Sequence, residues 1–273
     1  MREGVTAIEN LAQLLRSRNV GPRQLGHALP EMRLGCASLA TAIVELKTAM
    51  DDYLAGDAEG RRAFLGMLEH ASLRVDELGA AIKSKEPTQL DARERLALEA
   101  VVRGIGGELD SMLRLIDLVG AAATIRTADI DLSVLLTEQR RSSQRLTPVN
   151  AIIELRAPTF NADARVVLEL IEFAVATVVR GGVDSPRIVA DLETQPDGPL
   201  LITVGQAPGE RSLGVPLKTA EDLKNIRILN VPLRKALPHE AEVVQAAARF
   251  AGFAFVVSED GKSVTIRSLV PVV

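Results

Sequence analysis

Aromatic side chains are scarce in this chain: six Phe, one Tyr (Tyr53) and no Trp make up 3% of 273 residues. Stacking bases or sugars needs several exposed aromatic faces, so an aromatic stacking platform is excluded. The single cysteine, Cys36, excludes an internal disulfide framework and any Cys-rich zinc site. The three histidines, His27, His70 and His239, lie far apart, and none has a partner at metal-ligand spacing, so no metal is expected. An excess of one charge is also missing. With 32 basic and 36 acidic residues the net charge is −4, which offers no bulk attraction for nucleic acid or anionic lipid. No apolar run is long enough to cross a bilayer. The opening MREGVTAIENLAQLLRSR carries acids and lacks an apolar signal core, which predicts a cytoplasmic protein with no membrane association.

What is present is a chain 47% hydrophobic and 25% charged, with the apolar share drawn from Ala, Leu, Val and Ile. This is globular composition, and the length allows two domains with buried cores. The first half reads as helix. Residues 5–18 put Ile8, Leu11, Leu14 and Leu15 on one face. Pro22 and Pro30 punctuate the next stretch, and residues 31–54 space Leu34, Leu39, Ile43, Leu46 and Met50 by three to five. After Gly56-Asp57, residues 58–84 carry Phe64, Leu65, Leu68, Val75, Leu78 and Ile82. Lys83 to Pro87 reads as a turn, and Leu90–Ala123 as a second arm with Leu96, Leu98, Val101, Val102, Ile105, Leu109, Leu113 and Ile116. Two long arms about a polar turn make an antiparallel helical hairpin. A lone hairpin must cover its apolar stripe. A second copy would do so in a dimeric four-helix bundle, and the alternative is the chain's own residues 5–54.

Beyond a polar boundary at residues 124–150 the periodicity changes. Residues 151–157, 187–193, 200–205, 254–258 and 263–270 read as strands, and 163–179 and 240–250 as helices, the latter closed by Gly252. Ser258-Glu-Asp-Gly261 is a hairpin turn. The chain is therefore expected to be α+β, with a mixed sheet and helices on one face.

Over residues 57–273 this order of elements resembles the transmitter core of bacterial histidine kinases. AFLGMLEHASLRVDEL (63–78) resembles the phosphoacceptor segment, with His70 at the phosphorylated position. LEAVVRGIGGELDSMLRLIDLV (98–119) is similar to the second dimerisation helix, and IDLSVLL (130–136) to the lead-in of the ATP-binding domain. NADARVVLELIEFAVATVVRGG (161–182) resembles that domain's first long helix, and VVQAAARFAGFAFVVSEDGKSVTIRSLVP (243–271) its closing helix and hairpin. The resemblance implies three regions: a helical extension (1–56), a dimerisation and phosphotransfer hairpin (57–125) and a GHKL, or Bergerat-like, α/β sandwich (126–273). It also implies a homodimer.

The departures are as informative. Where the family's Asn residues hold magnesium, this chain has Phe173 and Thr177, and an apolar ring cannot ligate a cation that demands oxygen. The adenine box reads Gly205-Gln-Ala-Pro-Gly209, without a carboxylate. The second glycine box reads Ala236-Leu-Pro-His-Glu-Ala241, where missing glycines bar close approach to phosphate and Glu240 and Glu242 repel it. ATP and magnesium binding are therefore expected to be lost, although Arg211, Lys218, Lys224, Arg227, Arg234 and Lys235 remain in the lid region.

His70 is the candidate catalytic residue, because imidazole is nucleophilic near neutral pH. The acid that the family places after it is Ala71 here, and the kinking Pro is Val75. Met67, Arg74 and Glu77 are the expected docking surface for a response-regulator receiver domain or another signalling partner. His27 reads as a linker residue and His239 as surface or helix N-terminus. Ser212 and Ser263 lack triad partners, Arg140, Arg141 and Arg145 read as solvated linker, and Cys36 as a buried hydrophobe. The function expected is a phosphorelay histidine phosphotransferase or pseudokinase. The alternatives are a non-catalytic dimeric scaffold with an incidental His70, and an active GHKL ATPase of the anti-sigma type.

Overall fold

A computed structural model of the chain describes residues 2–17, 22–48, 57–83, 85, 90–132, 134–135, 148–155, 159–192, 199–206, 226–232 and 236–269. They fall into two compact units. The first is Met1–Asp117 with Lys235–Val243, and the second is Leu118–Arg234 with Val244–Val273.

The first unit holds α1 (Arg2–Arg16), α2 (Pro22–Thr48), α3 (Ala58–Lys83) and most of α4 (Ala92–Ala123). Local chemistry sets the helix starts. Pro22 stands at the first position of α2, where its missing N–H costs nothing. Asp57 Oδ1 accepts from Gly60 N at 2.8 Å ahead of α3. Asp91 and Glu94 form a reciprocal capping box ahead of α4, with Glu94 N donating to Asp91 Oδ1 at 2.7 Å and Asp91 N to Glu94 Oε2 at 3.4 Å. Pro30 does not break α2, which runs through it.

The four helices run alternately up and down and close into a ring. Gly4 of α1 lies so near α2 that a Cβ there would sit 2.6 Å from Leu39 Cγ and 2.8 Å from Gly35 O. Arg33 of α2 donates to the carbonyls of Ile82, Lys83 and Lys85 at 3.0–3.2 Å, satisfying the end of α3. Arg16 of α1 pairs with Glu99 of α4 at 3.4 Å, and Arg95 of α4 donates to Ser17 O at 3.0 Å. Ions and hydrogen bonds join α3 to α4, as described below.

This ring supplies the second of the two covers expected for the hairpin, the chain's own residues 5–54. The α3 stripe (Phe64, Met67, Leu68, Val75, Leu78, Ile82) and the α4 stripe (Leu98, Val102, Ile105, Leu109, Met112) are buried within one chain. Val5, Ile8, Leu11 and Leu15 of α1 and Met32, Cys36, Leu39 and Ile43 of α2 are buried as well. Burial of each large side chain is worth about 1.5–3 kcal/mol, so α1 and α2 remove the reason for a second copy to cover the hairpin. Leu34 and Leu96, expected on the apolar stripes, face outward instead.

The second unit carries two sheets. β1 (Ala128–Asp131) pairs antiparallel with β3 (Thr159–Ala162). The larger sheet has the order β6-β2-β4-β5-β8-β7, from β2 (Pro148–Leu155), β4 (Pro186–Leu192), β5 (Leu200–Gln206), β6 (Ile226–Pro232), β7 (Phe253–Val257) and β8 (Ser263–Ser268). Among the described residues only β2 and β4 pair in parallel, and the path between them carries α5 (Ala164–Arg180), as a parallel crossover requires. α5 packs against β4, β5, β6 and β8. α6 (Glu240–Phe250) precedes the closing β7–β8 hairpin. The chain is thus α+β. Strands β1, β3 and β6 were not foreseen; β1 and β3 span four residues each, too few alternations to read.

Asp163 anchors α5. Its Oδ1 accepts from Arg165 N at 3.0 Å, its Oδ2 accepts from Arg126 N at 2.7 Å, and the Arg165 guanidinium pairs with it at 2.7 Å. Arg165 also donates to Thr124 O at 2.9 Å, tying the chain after α4 to the start of α5. Burial alone would raise the Asp163 pKa, but the hydrogen bonds from Arg165 and Arg126 outweigh it and hold the carboxyl below its ordinary value. A depressed carboxylate pKa stabilises the fold above the unfolded value, and that contribution fades as pH falls through the folded one. Asp163→Ala is therefore expected to cost about 1–2 kcal/mol in urea unfolding at pH 7. The gap from wild type should close as the pH drops below about 4.

Candidate functional site

The site lies where the flanks of α3 and α4 meet. On α3 the buried positions Met67, Ala71 and Val75 set the core face. His70 and Arg74, one turn apart, fall on its edge. On α4, Glu108 precedes the buried Leu109 and falls on the facing edge. Antiparallel packing about the turn brings the edges together.

His70 Nε2 lies 3.4 Å from Glu108 Oε2, with the imidazole side chain 32% exposed. Arg74 Nε donates to the same Oε2 at 2.7 Å and Arg74 Nη2 to Oε1 at 3.2 Å, so the guanidinium grips the carboxylate with both prongs. Arg74 Nη1 also pairs with Glu77, three residues along the helix. The pKa of Arg74 is pushed up, first by its hydrogen bond to Glu108 and then by the charges of Glu108 and Glu77, against desolvation. The arrangement is an imidazole with a carboxylate partner that an arginine locks in place. An imidazole so held can act as nucleophile or base.

The acid missing from the sequence beside His70 is thus supplied from across the hairpin. The signal for it was weak but present: Glu108 borders the predicted apolar stripe at a distance from the turn comparable to that of His70. Arg74 and Glu77 lie in the cluster, as their proximity in sequence suggested. Met67 does not serve as a docking residue. It is 0% exposed, packed in the helical core, because position 67 falls on the same face as Phe64 and Ala71. The apolar side chain that does reach solvent beside His70 is Leu73, at 67% exposure, flanked by exposed Glu69, Asp76 and Glu77.

Of the remaining candidates, His239 lies against Gly66 of α3, where a Cβ would sit 2.9 Å from its Cδ2, and the others lie elsewhere. His27 is exposed on α2. His239 is exposed with a φ of 59°, and its carbonyl accepts from Val243 N at the start of α6. Glu240 is buried and accepts from Leu237 N at 2.9 Å, so it serves as a helix-start cap and does not project toward a ligand. Phe173 is buried in the second unit, and Thr177 Oγ1 donates to Phe173 O at 2.8 Å. Gly205 is explained by strand pairing, since a Cβ there would sit 3.0 Å from Ser263 Cβ. Burial pushes the Cys36 thiol up to about 11, which suits an inert side chain. Among the described residues, no group of three or more His, Cys, Asp and Glu is arranged to hold a metal, and no helix is long and apolar enough to cross a membrane. Met50, Tyr53, most of the turn through Pro87, the Arg140, Arg141 and Arg145 cluster, Ser212 and the lid residues Arg211, Lys218, Lys224, Arg234 and Lys235 lie outside the described residues, and Arg227 is described only by its place in β6.

If Arg74 and Glu108 act as a pair, Arg74→Ala and Glu108→Ala should not add in a double-mutant unfolding cycle. A coupling of about 1 kcal/mol is expected, the scale of a partly buried bidentate pair.

No family model matches this chain, and no curated protein matches it. Among solved structures it is similar to the Acinetobacter baumannii histidine kinase AdeS, at 12% identity and a TM-score of 0.41, over 73% of this chain and 96% of that one.

Proposed function

We propose that this chain is a two-component signalling protein in which His70 exchanges phosphate with a receiver-domain aspartate, acting as a histidine phosphotransferase or as a pseudokinase that docks receiver domains. The observation that carries the reading is the partly exposed imidazole of His70 with Glu108 held against it by Arg74. A nucleophilic histidine needs solvent access and a partner for the charge its ring gains, and this one has both. Leu73 and the acids around it replace Met67 as the docking surface beside Arg74 and Glu77.

In this reading the second unit is a decayed GHKL-type layer without ATP hydrolysis. Phe173 in the core and Glu240 turned into a cap support that view, since both side chains are engaged in the fold where a nucleotide site needs free oxygens.

One observation favours a scaffold as the second reading. The Arg74–Glu108 pair also pins α3 to α4, a structural service that does not use His70. The two readings separate on incubation with a receiver domain carrying aspartyl phosphate. Phosphotransfer predicts label on the wild type, none on His70→Ala, and slower labelling of Leu73→Asp with its fold intact. Absence of label on the wild type leaves the scaffold, for which His70→Ala should be silent in cells.

A further inference from the structure

We propose that the free edge of β7 is a self-docking surface, where a second copy of this chain adds its own β7 in antiparallel register and joins the two sheets into one. The surface goes beyond the phosphotransfer reading and does not depend on it.

Among the described residues β7 ends its sheet and pairs with β8 alone. The pairing fixes which backbone groups are used. Ser258 N donates to Ser263 O at 2.9 Å, and Leu269 N donates to Gly252 O at 2.7 Å. An antiparallel ladder bonds at alternate residues, so Ala254 and Val256 also turn their N–H and C=O groups toward β8. Those of Phe253, Phe255 and Val257 turn away from it, and no hydrogen bond among the described residues engages them. Exposed edges are normally guarded by charge, proline or a bulge. The strand at the other end of the sheet, β6, carries Arg227, Asn230 and Pro232. β7 reads FAFVV, with no charge and no proline. Phe253 and Phe255 are buried on its core face, while Val256 stands 57% exposed on the opposite face.

Shape and charge together select a second copy as the occupant. With Phe255 set opposite the partner's Phe255, each outward N–H meets an outward C=O. Phe253 then faces the partner's Val257, and the exposed Val256 lies over the partner's Ala254, a small residue beside a large one. Arg249 stands ahead of the strand, and Glu259 and Asp260 follow it, all three exposed. Antiparallel pairing brings the two acids of each copy toward the partner's Arg249, whereas parallel pairing would set like charges side by side. Both copies use the same edge, so the contact closes on itself and does not propagate. A strand of five residues makes an interface below the size of stable complexes, which gives a weak, concentration-dependent dimer.

The test is sedimentation velocity of the full chain over a concentration series reaching the millimolar range, with amide hydrogen exchange at both ends of the series. Reversible dimerisation is expected. The amides of Phe253, Phe255 and Val257 should exchange quickly in dilute protein and slow as the dimer fills, while those of Ala254 and Val256 stay slow throughout. Val256→Lys places like charges on diagonal positions across the pair and should weaken association by more than about tenfold. Val257→Pro removes an outward N–H, a position where an edge strand accepts proline, and should weaken association similarly with the β7–β8 ladder still protected. Leu34→Lys and Leu96→Lys, on exposed flanks of α2 and α4, should leave association unchanged. A chain that stays monomeric at every concentration overturns the inference. So does a dimer that survives both β7 variants, or a set of edge amides that is slow at every dilution.

Discussion

The first unit depends on one requirement, that the apolar stripe of the α3–α4 hairpin be covered. Phe64, Met67, Leu68, Val75, Leu78 and Ile82 on one arm and Leu98, Val102, Ile105, Leu109 and Met112 on the other cannot stay wet. α1 and α2 supply the cover from the same chain. Close approach at Gly4 and Gly35 draws α1 onto α2, and Arg33 closes α2 over the carbonyl end of α3. With the stripe covered, the rotation of α3 is set, and with it which side chains lie at its edge.

The site follows from that rotation. His70 lands between core and solvent because Met67 and Ala71 turn inward. Arg74 is the residue that converts proximity into geometry. Its planar fork grips both oxygens of Glu108 while a further nitrogen reaches Glu77. A lysine would offer a point charge without direction. The imidazole therefore meets a carboxylate of defined orientation, which neither an exposed nor a deeply buried histidine would have.

The second unit reuses polar residues for structure. Asp163 and Arg165 fasten the start of α5 to the chain at Thr124 and Arg126. Tight backbone contact recurs at the other end of α5, where a Cβ on Gly181 would run into the carbonyl oxygen of Gly261, itself at a φ of 69° that favours glycine. Phe173, which looked in sequence like a broken nucleotide device, is engaged in packing.

The helical period of residues 58–83 and 92–123 and the helix at 240–250 were legible, because each rests on contacts within a few residues. Strands β1, β3 and β6 were not, since their pairing partners lie far along the chain. Likewise His70 was named as a candidate through the family resemblance, but which acid it meets was not legible. The neighbouring position holds Ala71, and Glu108 stands 38 residues away. Local spacing thus determined which residues form helices. The closing of four helices in one chain decided what covers the hairpin, why Met67 is inside, and which carboxylate faces the imidazole, because those outcomes depend on how helices rotate against one another and no short stretch of sequence encodes that rotation.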